Sequence, residues 1–250
     1  MSDTVFEFPL KEKVRNYLRI EQLIAQLKSG ASVPSGQVQL YFFDQLFTLL
    51  DLFERIDIRT DIIKDLDAHE KNLKHWSEHP NIDAGALQHT LDTIVAKRDK
   101  IKICKKFGTD LKEDRFLASI RQRFAIPGGA CSFDLPNLHY WMHQPQEYRQ
   151  DVMKKWMKTL VDVEETIAIC LSFLRERGTF RPVTATNGFY QGVAEDKNEL
   201  IRVRCSVAEG FYPTLSGNKY RFALRFMWFK AAPDQGTSVD GDVPFSLAAC

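Results

Sequence analysis

Two pairs of histidines, His75 with His79 and His139 with His143, stand four residues apart, the spacing that puts two rings on one face of a helix. Such a pair could share a metal. For the first pair no carboxylate or cysteine completes a ligand set at a recognisable spacing, and Pro80 interrupts the helix where the second ligand falls, so surface histidines are the plainer reading. His69 and His89 belong to the same polar stretch. Cys131 precedes the second pair, and a thiol nucleophile built from Cys131 and His139 is the one covalent chemistry these residue types offer. Packed cysteines are far commoner than reactive ones. There is no GxxxxGK[ST] loop, no GxGxxG after a strand, no GxSxG elbow and no HExxH. Ile126-Pro127-Gly128-Gly129 reads as a helix stop as readily as an anion-binding nest. The expectation is a non-enzymatic protein with no catalytic residue, no metal and no cofactor.

A different kind of chemistry lies further along. Between residues 219 and 228, Tyr220, Phe222, Leu224, Phe226 and Trp228 alternate with Lys219, Arg221, Ala223 and Arg225. In a strand that alternation turns the aromatic row inward and sends Lys219, Arg221 and Arg225 out together. Ile201, Val203, Cys205 and Val207 alternate with Arg202, Arg204 and Ser206 in the same way, so in-register pairing of the two strands would add Arg202 and Arg204 to that face. The acids of this region, Glu195, Asp196, Glu199, Asp234, Asp240 and Asp242, fall in the predicted loops. Arginine suits bidentate capture of carboxylates or phosphates. A solvated strand face with ordinary solubility charges explains the same pattern equally well.

The elements that must carry these residues change period near Gly178. Helical spacing predicts amphipathic helices over 11–27, 37–55, 60–76 and 83–104, the first two separated by a loop through Ser29, Gly30, Pro34, Ser35 and Gly36. A basic helix is predicted over 111–124, and short pieces through Cys131–Pro136 and Asn137–His143 follow it. One long helix is predicted from Pro145 to the Gly178 terminator. Beyond it the signals are those of antiparallel strands, with Asn187-Gly188 as an early turn, Ser216-Gly217-Asn218 as a later one, and Val243–Cys250 as a last strand. Residues 4–10 are extended and are expected to join that sheet. The predicted fold class is α+β: a helical domain over 11–178, then a small antiparallel β domain over 179–250.

Composition narrows the partners. The 250 residues are 44% hydrophobic and include 18 Phe and 4 Trp, enough apolar surface to offset the entropy of ordering the chain. Lys and Arg number 34 against 33 Asp and Glu, so the net charge of +1 does not advertise nucleic acid, and any electrostatic recognition must come from local clustering. A nucleic-acid binder that uses the arginine face with Tyr190 or Trp228 for stacking is the competing class. No apolar run reaches membrane-span length, and Met1–Leu10 lacks the basic and apolar parts of an export signal. Cys104, Cys131, Cys170, Cys205 and Cys250 are odd in number and never form CxxC, which fits a reducing cytoplasm better than a disulfide framework.

Read as words, the chain resembles the ZapD family almost from end to end. The resemblance is carried by Phe8-Pro-Leu-Lys-Glu-Lys13, Tyr17-Leu-Arg-Ile-Glu21, Leu50-Asp-Leu-Phe-Glu-Arg55 with Arg59, and Glu113-Asp-Arg115. It continues in Arg121-Gln-Arg123 with Ile126-Pro-Gly-Gly129, Cys131-Ser-Phe-Asp-Leu-Pro136 with Leu138-His139, Asn187-Gly-Phe-Tyr-Gln191, and Arg221-Phe-Ala-Leu-Arg-Phe226. That resemblance implies a cytoplasmic homodimer recruited to the mid-cell division ring. It would bind the C-terminal tail of the tubulin-like GTPase FtsZ and bundle its protofilaments, with no nucleic-acid or membrane partner. The tail mixes acidic, apolar and proline residues, for which a cationic face with aromatic walls is a sensible receptor. Arg221 and Arg225 match the family's basic strand motif, and Arg55 the arginine closing its Leu-Asp-x-Phe-Glu-Arg block. Arg19, Arg115 and His139 match further positions expected on or near the binding surface. For Arg19 and Arg115 a structural pair with a helix carboxylate such as Glu21 or Asp114 is the alternative. Ser29–Gln39 and Ser77–Lys106 carry little of the pattern.

Overall fold

The computed structural model describes residues 3–33, 36–76, 83–195, 197–218, 220–229 and 236–250. The fold is α+β. Two compact units emerge: residues 18–170 form a helical unit, and residues up to Tyr17 together with Leu171–Cys250 form a β-rich unit.

The helical unit is built from α1 (Glu12–Ser32), α2 (Gly36–Arg55), α3 (Ile58–Trp76), α4 (Ala84–Ile103), α5 (Thr109–Glu113), α6 (Arg115–Phe124), α7 (Pro136–Met142), α8 (Gln146–Lys158) and α9 (Val161–Arg177), the first and last of which run on into the other unit. Its core is the apolar stripe of α2, with Phe42, Phe43, Leu46, Leu49, Leu50 and Phe53 all fully buried. Phe43 lies 5.2 Å from Trp141 and 5.8 Å from Trp156 by ring centroids, both edge-on. Two expected helices are broken in two. Asp114 ends one helix and caps the next by accepting from the Leu117 N–H at 2.9 Å, so the basic segment is α5 followed by α6. The long helix predicted after Pro145 stops at Thr159, where the Thr159 and Leu160 N–H groups make tight i→i−3 bonds to Trp156 and Met157. Thr159 also bonds the Trp156 carbonyl through its hydroxyl, at 2.7 Å, so local polar competition ends a stripe that apolar spacing alone carries onward.

In the β-rich unit, β1 (Asp3–Pro9), β4 (Leu200–Ser206), β7 (Val243–Ala249) and β2 (Arg181–Ala185) make one antiparallel sheet in the order β1-β4-β7-β2. A second sheet has the order β3-β6-β5, from β3 (Phe189–Val193), β6 (Arg221–Trp228) and β5 (Phe211–Gly217). Asn187 and Gly188 both have positive φ, 50° and 66°, the mirror-image turn that lets β2 lead directly into β3. The two sheets share one core, in which Ile201, Val203, Phe245 and Leu247 of the first meet Phe222, Leu224 and Phe226 of the second. Phe226 and Phe245 stand 5.0 Å apart across it. Gly192 is required where β3 passes over Phe222, because a Cβ there would lie 2.3 Å from the ring.

Because the arginine-bearing strands fall in different sheets, Arg202 and Arg204 do not join the face of Arg221 and Arg225. Arg202 sits opposite Glu7 in the β1–β4 register and bonds its carboxylate at 3.0 Å, while Arg175 clamps the same carboxylate at 2.7 and 2.9 Å. Arg204 covers the Phe180 ring at 3.9 Å. Both belong to the structural surface of the four-stranded sheet.

Phe226 joins the two sheets, so Phe226→Ala is expected to cost about 3–5 kcal/mol of stability, read as a lowered midpoint in chemical denaturation.

Candidate functional site

Within β6 the alternation is as the sequence implies, but Tyr220, expected in the inward row, precedes the strand and is 58% exposed. Phe222, Leu224 and Phe226 are at most 2% exposed, whereas Arg221 and Arg225 are open to solvent. Lys219, the third expected member of the row, lies outside the described residues, as do Pro34, Ser35, His79, Pro80, Asp196 and Asp234. Register assigns the rest of this outer face. Val193 is opposite Arg221, Gln191 and Ser216 flank Ala223, Phe189 and Thr214 flank Arg225, and Tyr212 is opposite Met227. None of these is acidic. The two guanidinium-bearing positions stand four residues apart on one strand, about 13 Å at the usual rise. Between and beside them are Val193, 79% exposed, and Phe189, 41% exposed.

Arg225 is partly positioned. Its guanidinium carbon lies 5.8 Å from the Phe189 ring centroid, and its Nη1 donates to Ser238 Oγ at 3.1 Å. Neither contact neutralises its charge. The backbone N–H of Arg221 donates to Asn218 Oδ1 at 3.2 Å, but its guanidinium has no acceptor among the described residues. Among the described residues the face is thus a shallow array of two cations without an acidic partner on an apolar and hydroxylic floor, a chemistry that suits carboxylates and apolar side chains together.

The remaining expected residues belong to the helical unit. Arg55 is the last residue of α2 and lines a cleft of about 440 Å³ with Phe53, Ile58, Arg59, Lys106 and Phe107. Arg59 there is committed, bonding the Cys104 carbonyl at 3.0 Å and the Lys102 carbonyl, whereas Arg55 has no acceptor among the described residues. Arg115 opens α6 and is exposed. Its suggested partner Asp114 is occupied instead by the Leu117 N–H and by Trp156 Nε1 at 3.0 Å. Arg19 is exposed on α1. His139 is exposed on α7 with its ring 4.4 Å from that of His143, whose Nδ1 is 2.8 Å from the His139 carbonyl oxygen. So the structure puts Arg221 and Arg225 on one face, and Arg19, Arg55, Arg115 and His139 in the other unit. Arg181, exposed at the start of β2 and with a guanidinium also without an acceptor among the described residues, is a cation that no sequence pattern singles out.

The alternative chemistries find little support in the geometry. Cys131 is exposed, and its thiol makes no hydrogen bond to His139. Tyr190 and Trp228 pack against the sandwich core, so the proposed stacking platform is turned inward. His69 is 4% exposed, and among the described residues no group of three or more His, Cys, Asp or Glu side chains could hold a metal ion. No helix among the described residues is long and apolar enough to cross a membrane.

An α+β protein with a helical unit and a small β-sandwich presents, among the described residues, a basic face with no acid paired in its register. The chain belongs to the ZapD family of cell division proteins: the family model described as "ZapD: Cell division protein" matches residues 18–225. The Cell division protein ZapD of Photobacterium profundum is 38% identical over 250 residues, the whole of both chains. That of Cronobacter sakazakii is 40% identical, and that of Klebsiella pneumoniae 38%, each over 98% of both chains. This protein therefore has a role in cell division.

A neighbouring arginine shows what a committed cation looks like. Arg121 bonds Asp51 and, at 3.1 Å, Glu54, and Lys112 reaches Glu54 at 2.9 Å. The hydrogen bond from Lys112, then that from Arg121, lowers the Glu54 pKa from its ordinary 4.5. A lowered folded-state pKa means that the stabilisation is complete above about pH 4.5 and is lost as pH falls through the lowered value. Glu54→Gln is expected to flatten that part of the acid limb of a stability profile measured by chemical denaturation at a series of pH values.

Proposed function

We propose that this chain binds the C-terminal tail of FtsZ through the outer face of the β3-β6-β5 sheet and, as a homodimer, draws FtsZ protofilaments into bundles in the cytoplasm at the mid-cell division ring. One observation carries the reading. Arg221 and Arg225 project from a single strand onto a face with no acidic residue in its register, although the chain as a whole is nearly neutral. Charges left uncompensated on a folded surface favour an anionic partner. Membership of a cell division family agrees with a partner in the division machinery. Arg55, Arg115, Arg19 and His139 are proposed as further contributors from the helical unit, Arg55 and Arg115 because they too lack acceptors among the described residues.

Bundling follows from valence. One tail site per subunit decorates a filament, whereas two sites in a dimer hold two filaments. The second contact then forms at an effective concentration that reaches roughly millimolar with flexible tethers. Dimerisation is thus part of the proposed activity.

Charge reversal at Arg221 and Arg225 together is expected to abolish co-sedimentation with FtsZ filaments while the melting temperature stays near that of the unaltered chain, since exposed strand residues contribute little to stability. Retained co-sedimentation by the folded double variant would refute the assignment. Binding should also weaken as salt is raised, because exposed guanidinium–carboxylate pairs are screened over about 8 Å at physiological ionic strength. A salt-independent affinity would point to an apolar contact instead.

A further inference from the structure

The edge strands of the β-rich unit differ in how open they are. Along a strand the backbone N–H and C=O groups alternate in direction, so an edge strand turns half of them toward its partner and half toward the open side. In β3 two bonds fix the parity: Phe226 N–H to the Gly188 carbonyl at 2.8 Å, and Ala194 N–H to the Tyr220 carbonyl at 2.9 Å. Even-numbered residues from 188 to 194 therefore face β6, and Phe189, Gln191 and Val193 face outward. The Phe189 N–H is taken by the Thr186 carbonyl at 3.0 Å, closing the turn. The backbone groups of Gln191 and Val193 have no backbone partner among the described residues, and both residues are exposed.

The same reasoning applied to the other three edges gives a different result. The Leu10 N–H to Glu199 bond, the paired bonds of Leu200 with Cys250, and the Phe229 N–H to Gly210 bond set the parity of β1, β2 and β5. Each then has a proline at an outward position: Pro9, Pro182 and Pro213. A proline there removes a donor that an incoming strand would need, a common protection of sheet edges. β3 has none.

The open edge is also the cationic one. Val193 is opposite Arg221 and Phe189 opposite Arg225, and the contacts of Arg225 with Phe189 and Ser238 lean its guanidinium toward the β3 side. A strand added to β3 would lie two interstrand spacings, about 10 Å, from β6. An arginine and an acidic side chain reaching toward each other span that gap. We propose that the tail engages this face by strand addition. An extended acidic peptide would pair its main chain with Gln191 and Val193, and place two carboxylates four residues apart against Arg225 and Arg221. This rests on the tail-binding reading above and specifies how the same face is occupied.

The test uses the full chain and a fluorescently labelled FtsZ tail peptide, read by anisotropy. Gln191→Pro removes an outward N–H while leaving the β3–β6 bonds intact, and is expected to weaken binding about tenfold, the equivalent of one lost hydrogen bond. Gln191→Ala, which keeps the N–H and removes only the side chain, should lose less than Gln191→Pro. Arg225→Glu separates the two claims. If it abolishes binding while Gln191→Pro has no effect, strand addition is wrong and the tail-binding reading stands. If Arg225→Glu also binds normally, the reading itself fails. Should Gln191→Pro not fold, single backbone N-methylations along the peptide address the unaltered protein: strand addition predicts losses at alternate positions only, and uniform tolerance overturns it.

Discussion

The structure depends on the two-residue period of one strand. β6 is the central strand of its sheet, and its even-numbered side chains Phe222, Leu224 and Phe226 are the sheet's contribution to the sandwich core. Burying them leaves no freedom for the odd-numbered ones. A slip of one residue would drive two guanidinium groups into the core and put three large apolar side chains in water, a penalty far beyond the stability of a small unit. The hydrophobic effect therefore orients the arginines, and no dedicated polar network is needed to aim them. Only Arg225 has added support, from Phe189 beneath it and Ser238 beside it.

That constraint explains why the β6 face was legible in the sequence while its surroundings were not. Alternation reports which side of a strand faces the core, and it did so for Ile201, Val203 and Cys205 as well as for β6, but not for Val207, which falls past the end of β4 in a 3-10 turn and is exposed. It says nothing about which strands pair. Arg202 and Arg204 have the same outward parity as Arg221 and Arg225 but sit in the other sheet, against Glu7 and Phe180. The reason is topological: β4 is flanked by β1 from the start of the chain and β7 from its end, partners far apart in sequence. Tyr190 and Trp228 mislead in the opposite way, because their aromatic character suits a stacking platform until the shared core claims them.

In the helical unit the stripes of α1 to α4 were readable from spacing, since each buries one face over several turns. The interruptions at Asp114 and Thr159 were not, because both come from single side chains bonding to backbone rather than from any break in apolar period. Which arginines are held was equally invisible. Arg59, Arg98, Arg121 and Arg123 bond carbonyls or carboxylates from residues beyond their nearest helical neighbours, whereas Arg55 and Arg115 meet none among the described residues. Composition cannot separate a cation that closes a structural pair from one that is left for a partner.

Hydrogen–deuterium exchange of the intact protein with and without the FtsZ tail peptide tests most directly whether this face is the receptor. The account predicts added protection in segments 189–193 and 221–228, largest at the open edge of β3. Protection confined to the helical unit, with these strands exchanging as in the free protein, would contradict it.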